Sequence, residues 1–178
     1  MKKSMKRRLG VLADTHGHED AWAKASLLWG DTPDAVLHAG DVLSSDVDTG
    51  LAGMIRSASF PVIISRGNCD YPEDEKILHR PLLSPYAFVW WNGKSILMAH
   101  GNRFEELRAL ALRSRVDLAV YGHTHVASVV REEGTIFLNP GSASLPRGRD
   151  PASAATVAED EIVIFTLDGA QLHKERWY

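Results

Sequence analysis

Residues with metal-binding side chains recur along the first 125 positions of the chain. They are two aspartates, one asparagine and four histidines: Asp14, His16, Asp41, Asn68, His100, His123 and His125. Carboxylate and amide oxygens suit Mn²⁺ and Mg²⁺, whereas imidazole suits zinc, iron, copper and nickel. A mixed set of this kind indicates a borderline-soft divalent metal. Seven donors are too many for one catalytic ion, which keeps an open coordination position, so they predict two ions that share a bridging ligand.

Each of these donors follows a predicted β-strand. The strands are short apolar runs over residues 9–13, 35–39, 61–65, 94–99 and 117–121. The carboxyl ends of strands in an open α/β sheet point into one crevice, where ligands bind. A single Asp-x-His or His-x-His pattern is usually chance, but five donor patterns at five strand ends predict that the seven donors converge. Glycines beside most of the donors indicate tight loops with close backbone approach.

Helix and strand alternate in the first 65 residues, which is typical of a parallel βαβ sheet. Helices are predicted over residues 20–29, with Asp20 as the cap, over about 47–57 and over 105–115. Further strands are predicted over residues 86–91, 126–130, 135–138, 155–157 and 162–167. Asn92-Gly93 predicts a tight hairpin between the strands on either side of it. Residues 69–85 and 143–155 are interpreted as surface segments without regular structure.

The composition is that of a soluble globular protein. The chain has 178 residues, of which 44% are hydrophobic and 24% are charged, which is enough to bury a core without disulfides. We expect a flexible basic tail over residues 1–8 and a single domain over residues 9–178. The one cysteine, Cys69, cannot form an internal disulfide. No apolar run approaches the ~20 residues of a membrane span. These observations favour a cytoplasmic protein without a membrane partner.

The charge distribution bears on the choice of partner. The net charge is −3, and five basic residues lie in the first eight positions, so the rest of the chain is more acidic still. Non-specific nucleic-acid binding comes from neutralised phosphates, so we expect no stable nucleic-acid partner. Trp90, Trp91, Trp177 and Tyr178 are candidates for a homo-oligomer contact, with core packing as the alternative for the first two.

The donor motifs resemble, in their order along the chain, those of the calcineurin-like metallophosphoesterase superfamily. The matching motifs are Asp14-x-His16, Gly40-Asp41, Gly67-Asn68, His100-Gly101 and Gly122-His123-Thr124-His125. The chain length, Gly67-Asn68-Cys69-Asp70 and Asn139-Pro140-Gly141-Ser142 are similar to its small branch. That branch comprises the YfcE-type phosphodiesterases and the retromer subunit that shares their fold.

The resemblance implies an α/β fold, a two-sheet β-sandwich flanked by helices in an αββα arrangement, with the metals at one end. It implies that Asp14, His16 and His125 hold one metal and that Asn68, His100 and His123 hold the other. It makes Asp41 the bridging ligand, and Asp41, Asn68 and His100 are the residues to which we assign catalytic roles. Mn²⁺ is the favoured metal, and iron, zinc, nickel and magnesium occur elsewhere in the family.

Two positions depart from the family pattern, and a third is open. Cys69 stands where the wider superfamily usually has a histidine that assists the leaving group. Asn102 stands where the branch often has the last histidine of His-Gly-His. Arg103 is interpreted equally well as a phosphate contact or as a surface residue at the start of a helix.

The charge of the predicted site favours a phosphodiester over a phosphomonoester. Two dications, two aspartates and a bridging hydroxide leave one net positive charge, which a diester monoanion neutralises and a monoester dianion exceeds. In this mechanism the hydroxide attacks phosphorus in line. The prediction is therefore a binuclear-metal-dependent phosphodiesterase acting on a small phosphoester. The alternative is a non-catalytic scaffold or interaction module with the same fold, and a nuclease is disfavoured by the acidic chain.

Overall fold

The structure is a computed structural model that describes residues 7–30, 32–43 and 50–178. Its helices are α1 (Glu19–Trp29), α2 (Gly50–Ser57), α3 (Asp74–Leu78) and α4 (Phe104–Ser114). The strands of the first half are β1 (Arg8–Leu12), β2 (Ala35–His38), β3 (Val62–Ser65), β4 (Leu82–Leu83), β5 (Ala87–Trp91) and β6 (Lys94–Met98). Those of the second half are β7 (Leu118–Val120), β8 (Ala127–Glu132), β9 (Thr135–Pro140), β10 (Ser153–Ala158), β11 (Glu161–Thr166) and β12 (Gln171–Arg176).

The strands form two mixed sheets that pack face to face. The larger sheet has the order β12-β11-β10-β1-β2-β3-β4, and the smaller one has the order β5-β6-β7-β9-β8. In the larger sheet β1, β2, β3 and β4 run parallel, whereas β10 pairs with β1 in the antiparallel sense. The predicted parallel arrangement of the first three strands is therefore confirmed.

Three apolar clusters fill the layers of this fold. One lies between the sheets and contains Leu9, Val11 and Leu37 together with residues of the second sheet such as Ile96. A second joins the other face of the larger sheet to α1 and α2, and a third joins the smaller sheet to α4. The order is therefore helix, sheet, sheet, helix, and the expected two-sheet sandwich flanked by helices is confirmed. Since the central strands are buried on both faces, their sequences are continuous apolar runs.

Several element boundaries differ from the sequence prediction. α1 begins at Glu19 with His18 in the N-cap position, so Asp20 is not the cap. Glu19 and Asp20 both lie in the first turn, where the helix dipole favours acidic side chains. The predicted helix over 47–57 is described from Gly50 onward, and residues 47–49 lie outside the described part.

Two segments interpreted as irregular carry short elements. Residues 69–85 contain α3 and β4, and Leu78 and Leu82 are buried there among prolines and acidic residues that obscure any periodicity. β10 starts at Ser153, inside the predicted loop 143–155. The sequence prediction also missed β12, a polar edge strand that is set by its pairing with β11 rather than by an apolar pattern.

The aromatic residues at β5 and the C-terminus divide between core and surface. Trp91 is 5% exposed and Trp177 is 4% exposed, so both belong to the core. Trp90 is 67% exposed, which makes the core-packing alternative wrong for this residue, and Tyr178 is also exposed. A homo-oligomer stays a prediction.

The N-terminal segment is described from Arg7 onward. β1 starts at Arg8, one residue earlier than the predicted domain, and Arg7 forms an ion pair with Asp34 at 3.2 Å. The remaining residues of the predicted basic tail, 1–6, lie outside the described part of the chain. Among the described residues, no helix is long and apolar enough to cross a membrane.

The packing of α1 on β1 depends on a missing side chain. A Cβ atom on Gly10 would lie 2.4 Å from the Trp29 ring, and that indole donates a hydrogen bond to the Ala155 carbonyl at 3.1 Å.

We expect Gly10→Ala to lower the free energy of unfolding by about 1–3 kcal/mol, because the ring would have to move. In contrast, a Cβ on Gly53 in α2 has only the Arg56 side chain within 4 Å. Gly53→Ala should therefore raise stability by up to about 1 kcal/mol.

Urea denaturation of both variants checks this pair of expectations. Equal effects of the same sign would contradict the proposed role of the Gly10–Trp29 contact.

Candidate metal centre

The seven predicted donors lie in the loops that leave β1, β2, β3, β6 and β7. Five of them have a positive backbone φ, between 46° and 67°: Asp14, His16, Asp41, His123 and His125. Residues with a side chain rarely adopt this conformation, and it persists only where the surroundings impose it. Such strain is concentrated at functional sites in proteins. Its presence in five donors at once therefore indicates that this end of the sandwich is a functional site.

The donors form two groups around Asp41. In the first group, Nε2 of His125 lies 3.3 Å from Oδ1 of Asp14, and one donor atom from each of Asp14, His16 and His125 lies within 4.8 Å of the others.

In the second group, Nε2 of His100 lies 3.0 Å from Oδ1 of Asn68 and 3.3 Å from Nδ1 of His123. Oδ2 of Asp41 lies 3.9 Å from Nε2 of His16 and 3.3 Å from Nε2 of His100. The structure therefore brings all seven residues together, with Asp41 next to both groups.

Two histidines are oriented by backbone carbonyls. Nδ1 of His100 lies 2.7 Å from the Ala39 oxygen, and Nδ1 of His125 lies 2.7 Å from the Leu145 oxygen. A carbonyl only accepts hydrogen bonds, so in each ring Nδ1 carries the proton and Nε2 faces the centre. Metal-ligating histidines almost always have their second nitrogen held in this way.

The Asp14 loop is held by the turn over residues 139–145. The hydroxyls of Ser142 and Ser144 both donate to the Asp14 carbonyl, at 2.8 and 2.9 Å. The side-chain amide of Asn139 donates to the Gly122 carbonyl at 3.0 Å, just before the two histidines of the last motif. These contacts connect the Asn139-Pro140-Gly141-Ser142 motif to the centre.

Asp70 joins two of the donor loops, and sequence reasoning missed this role. Its buried carboxylate accepts three backbone N–H groups: from Asp41 at 2.8 Å, Val42 at 2.7 Å and Gly67 at 2.7 Å. Burial raises the pKa of Asp70, although these N–H groups oppose the shift. Asp70 is part of the Gly67-Asn68-Cys69-Asp70 motif, but the motif does not show what its carboxylate contacts, because the partners in the loop after β2 are distant along the chain.

The electrostatics of the centre suit cations. Burial raises the pKa of Asp14 to about 6, against the opposing effect of His100 and His125. Its Oδ1 is buried and accepts no hydrogen bond from the residues that the structure describes. Burial also raises the pKa of Asp41, but hydrogen bonding to His100, the His100 charge and the Cys69 N–H outweigh it, so the net pKa is lowered.

The histidine rings respond to the same surroundings. Burial lowers the pKa of His16 and of His123. For His100, burial lowers the pKa, but hydrogen bonding to Asp41 and the Asp41 charge outweigh it, so the net pKa is raised. Nε2 of His100 therefore faces two oxygen atoms, Oδ1 of Asn68 and Oδ2 of Asp41. A proton on Nε2 or a metal ion between these atoms would satisfy them. Together with Oδ1 of Asp14, which accepts no hydrogen bond from the described residues, this makes the donor set a good fit for divalent cations.

His38 is a fully buried histidine of β2 whose two ring nitrogens both form hydrogen bonds within the protein. The Gly40 N–H donates to its Nδ1 at 3.2 Å, so Nε2 carries the proton and donates to the Thr15 hydroxyl at 2.9 Å. That hydroxyl in turn donates to the Val42 carbonyl at 3.0 Å. Burial lowers the pKa of His38 to about 3. The ring is therefore neutral and braces the loop that carries Asp41.

Four other residues with titratable side chains differ in their surroundings. Cys69 is half-buried, and burial, hydrogen bonding to Asp41 and the Asp41 charge raise the pKa of its thiol to about 11. Arg103 is the N-cap residue of α4, and its side chain is 70% exposed and forms an ion pair with Glu106. His79 is exposed, and His173 is half-exposed and lies 3.7 Å from the Asp150 carboxylate.

Residues 7–161 match the calcineurin-like phosphoesterase superfamily domain. The chain belongs to the calcineurin-like phosphoesterase superfamily. Phosphodiesterase YfcE of Escherichia coli K12 is 36% identical over 121 residues, which cover 66% of this chain but only 64% of that protein.

Solved structures place this phosphoesterase-superfamily member in the small branch. A structure of the E. coli phosphoesterase YfcE superposes with a TM-score of 0.83 and 26% identity, covering 96% of this chain and 100% of that one. Vacuolar protein sorting 29 of Cryptosporidium parvum shares the fold, with a TM-score of 0.70, 22% identity and coverage of 97% and 100%. The predicted relationship to the YfcE-type branch and to the fold of Vps29 is confirmed.

The neutral ring of His38 makes this phosphoesterase fold sensitive to acid. Its folded-state pKa is about 3 and its ordinary value is 6.5, so between these values the unfolded chain binds a proton that the folded chain does not. The contribution of His38 to stability is complete above pH 6.5 and is lost as the pH falls toward 3, by up to about 1.4 kcal/mol per pH unit.

We expect metal-free wild type to lose more stability between pH 7.5 and 5 than His38→Gln, which is less stable at pH 7.5 but cannot take up this proton. Chemical denaturation at both pH values measures the difference, and His79→Gln serves as the exposed control. Parallel pH profiles for wild type and His38→Gln would refute the assignment.

Proposed function

We propose that this protein is a phosphodiesterase that uses two divalent metal ions. Asp14, His16 and His125 would hold one ion, Asn68, His100 and His123 the other, and Asp41 would bridge them. The observation that supports this assignment is the position of Asp41, whose Oδ2 lies within 4 Å of a histidine from each group. The 36% identity to phosphodiesterase YfcE supports the reaction class.

When bound, the two ions would polarise a phosphate oxygen and lower the pKa of the water that attacks phosphorus. The protein's own residues prepare the site. Asp14 and Asp41 supply the negative charge that lets two dications approach each other. The carbonyls of Ala39 and Leu145 direct Nε2 of His100 and His125 inward. Asn68 is exposed and His123 is partly exposed, so substrate can approach from this side.

The nature of the metal and substrate follows from the donors and the charge. The oxygen and imidazole mixture supports Mn²⁺ as the favoured ion, with iron, zinc, nickel and magnesium as alternatives. A diester monoanion matches the one net positive charge of the loaded site. Cys69, beside Asn68, cannot replace an imidazolium as proton donor, because its thiol is neutral with a pKa of about 11. Substrates with good leaving groups are therefore favoured.

The wider proposal concerns domain, partner and location. A single domain over residues 9–178, a small phosphoester as partner, no stable nucleic-acid binding and a cytoplasmic location agree with the acidic composition and the single cysteine. The alternative is a non-catalytic scaffold, which the fold shared with Vps29 favours. The full donor set supports the enzyme, because two divalent ions held by it could polarise a phosphate oxygen and activate water.

The bridging role of Asp41 can be tested by a change that keeps its shape. We expect Asp41→Asn to weaken the binding of both ions, because it removes a negative charge from between them. Hydrolysis of bis(p-nitrophenyl) phosphate should fall by more than roughly 100-fold, since even residues behind metal ligands cost 10–100-fold when changed. Asp168→Asn, an exposed turn residue, is the matched control.

Elemental analysis and chelation complete this test. Wild type should contain two ions per chain, lose activity with chelator and regain it with Mn²⁺. One ion or none in active protein would refute the binuclear centre, and an inactive protein with every common dication would favour the scaffold.

Cys69 allows a second test through substrate preference. We expect Cys69→Ala to leave hydrolysis of an aryl diester nearly unchanged, because an aryl leaving group needs little protonation. Cys69→His should raise p-nitrophenyl phosphate monoester hydrolysis relative to the diester, because an imidazolium donates a proton well, and general acids contribute roughly 10²–10⁴-fold in favourable cases. The ratio of kcat/KM for the two substrates is the measurement.

The thiol would instead be a catalytic group if Cys69→Ala lost most of its diester activity with both metals still bound. That result would contradict the expectation that Cys69 takes no part in proton transfer.

A further inference from the structure

A small cleft opens directly beside His100. It has a volume of about 170 Å³ and is lined by residues of three segments: the loop after β3, the turn before β5 and the loop that leads into α4. Arg66 and Gly67 come from the first segment, Tyr86 from the second and Arg103 from the third. Because His100 belongs both to this cleft and to the donor cluster, the cleft lies next to the centre.

The lining is basic in a protein that is acidic as a whole. Two guanidinium groups, those of Arg66 and Arg103, stand against one carboxylate, that of Glu106, among the described lining residues, while the chain carries a net charge of −3. The amino end of α4 begins at Phe104 beside Arg103 and adds partial positive charge. This wall of the cleft therefore attracts a negatively charged group.

Both arginines are available to a ligand. The Arg66 side chain is 32% exposed, and its Nη2 lies 3.3 Å from Glu75. Arg103 forms an ion pair with Glu106 three residues along, and both side chains are at least half exposed. Exposed ion pairs of this kind contribute little to the stability of the protein. An anion with several oxygens can displace the glutamates from these ion pairs. It can then accept two parallel hydrogen bonds from a guanidinium group.

Resting on the phosphodiesterase proposal, we infer that this cleft binds the second ester group of the substrate, the one that is not the leaving group. The geometry points to selectivity for a short ester group that ends in a carboxylate or phosphate, recognised by Arg66 and Arg103. A phosphomonoester has no second ester group to place there. The volume is below the ~300–1,000 Å³ typical of sites for drug-sized ligands, which favours a short group.

Matched diesters test this inference. The substrates share p-nitrophenol as leaving group and carry ethyl, 2-carboxyethyl or 2-phosphoethyl as second group. Wild type should have a higher kcat/KM for the two acidic substrates than for the ethyl diester, and the two acids distinguish carboxylate from phosphate as the preferred terminus. The ratio should fall roughly tenfold in Arg103→Ala and in Arg66→Ala, the scale of one charged hydrogen bond.

Arg113→Ala provides the control for charge alone. Arg113 is an exposed residue near the other end of α4, about 15 Å from Arg103 along the helix axis. This variant removes the same charge without touching the cleft, so its ratio should match wild type. Turnover of the ethyl diester reports folding and metal loading in every variant.

The outcomes separate this inference from the function on which it rests. No preference for the acidic diesters, or an equal loss in Arg113→Ala, would overturn the inference while leaving the phosphodiesterase intact. If metal-loaded protein turned over no diester, the proposed function would fail instead. The selectivity of the cleft could then still be tested by calorimetry, which would compare the affinities of 2-carboxyethylphosphonate and ethylphosphonate. Equal affinities in wild type would overturn the selectivity for an acidic group.

Discussion

Two carboxylates buried within reach of the same histidines constrain the rest of this structure. Asp14 and Asp41 lie at the end of the sandwich with almost no exposure to solvent. A buried negative charge is costly unless it is paired or hydrogen-bonded. Asp41 obtains this support from His100 and from the Cys69 N–H at 2.8 Å, and Asp14 accepts the His123 N–H at 3.0 Å. What these contacts leave unsatisfied, above all Oδ1 of Asp14, is what a cation would complete.

The close approach of the donor loops explains the glycines that accompany them. A Cβ atom on Gly67 would lie 2.0 Å from Oδ1 of Asp41, and one on Gly122 would lie 2.8 Å from Oδ2 of Asp14. The two carboxylates therefore pack directly against backbone from other strands. Backbone N–H groups reach them only because no side chain intervenes, so these glycines belong to the electrostatics of the site as much as to the turns.

Sequence reasoning identified the donors and the strands before them because both leave local signals. A doubly covered strand such as β2 has a continuous apolar run, and the donors follow it within a few residues. Supporting residues also occur in the quoted motifs, but the contacts that they make leave no local signal. Asp70 bonds to the loop after β2, and Ser142 bonds to Asp14 across 128 positions of sequence. β12 was missed for a related reason, since an edge strand with polar residues is defined by its neighbour and not by its own pattern.

The positive φ values separate two contributions to the site. The sequence supplies the donor residues, and the fold sets the direction of their side chains. Asp and His are common metal ligands, and Asp14 and His125 both have a left-handed backbone where their side chains approach each other. That conformation is unfavourable for each residue alone. It is maintained by contacts from elsewhere, including the two serine hydroxyls on the Asp14 carbonyl and the Leu145 carbonyl on His125. The free energy of folding thus contributes to holding these side chains in place. In the metal site proposed above, this contribution would reduce the entropy lost in ordering the loops around the ions, and it would keep two like-charged carboxylates at close range.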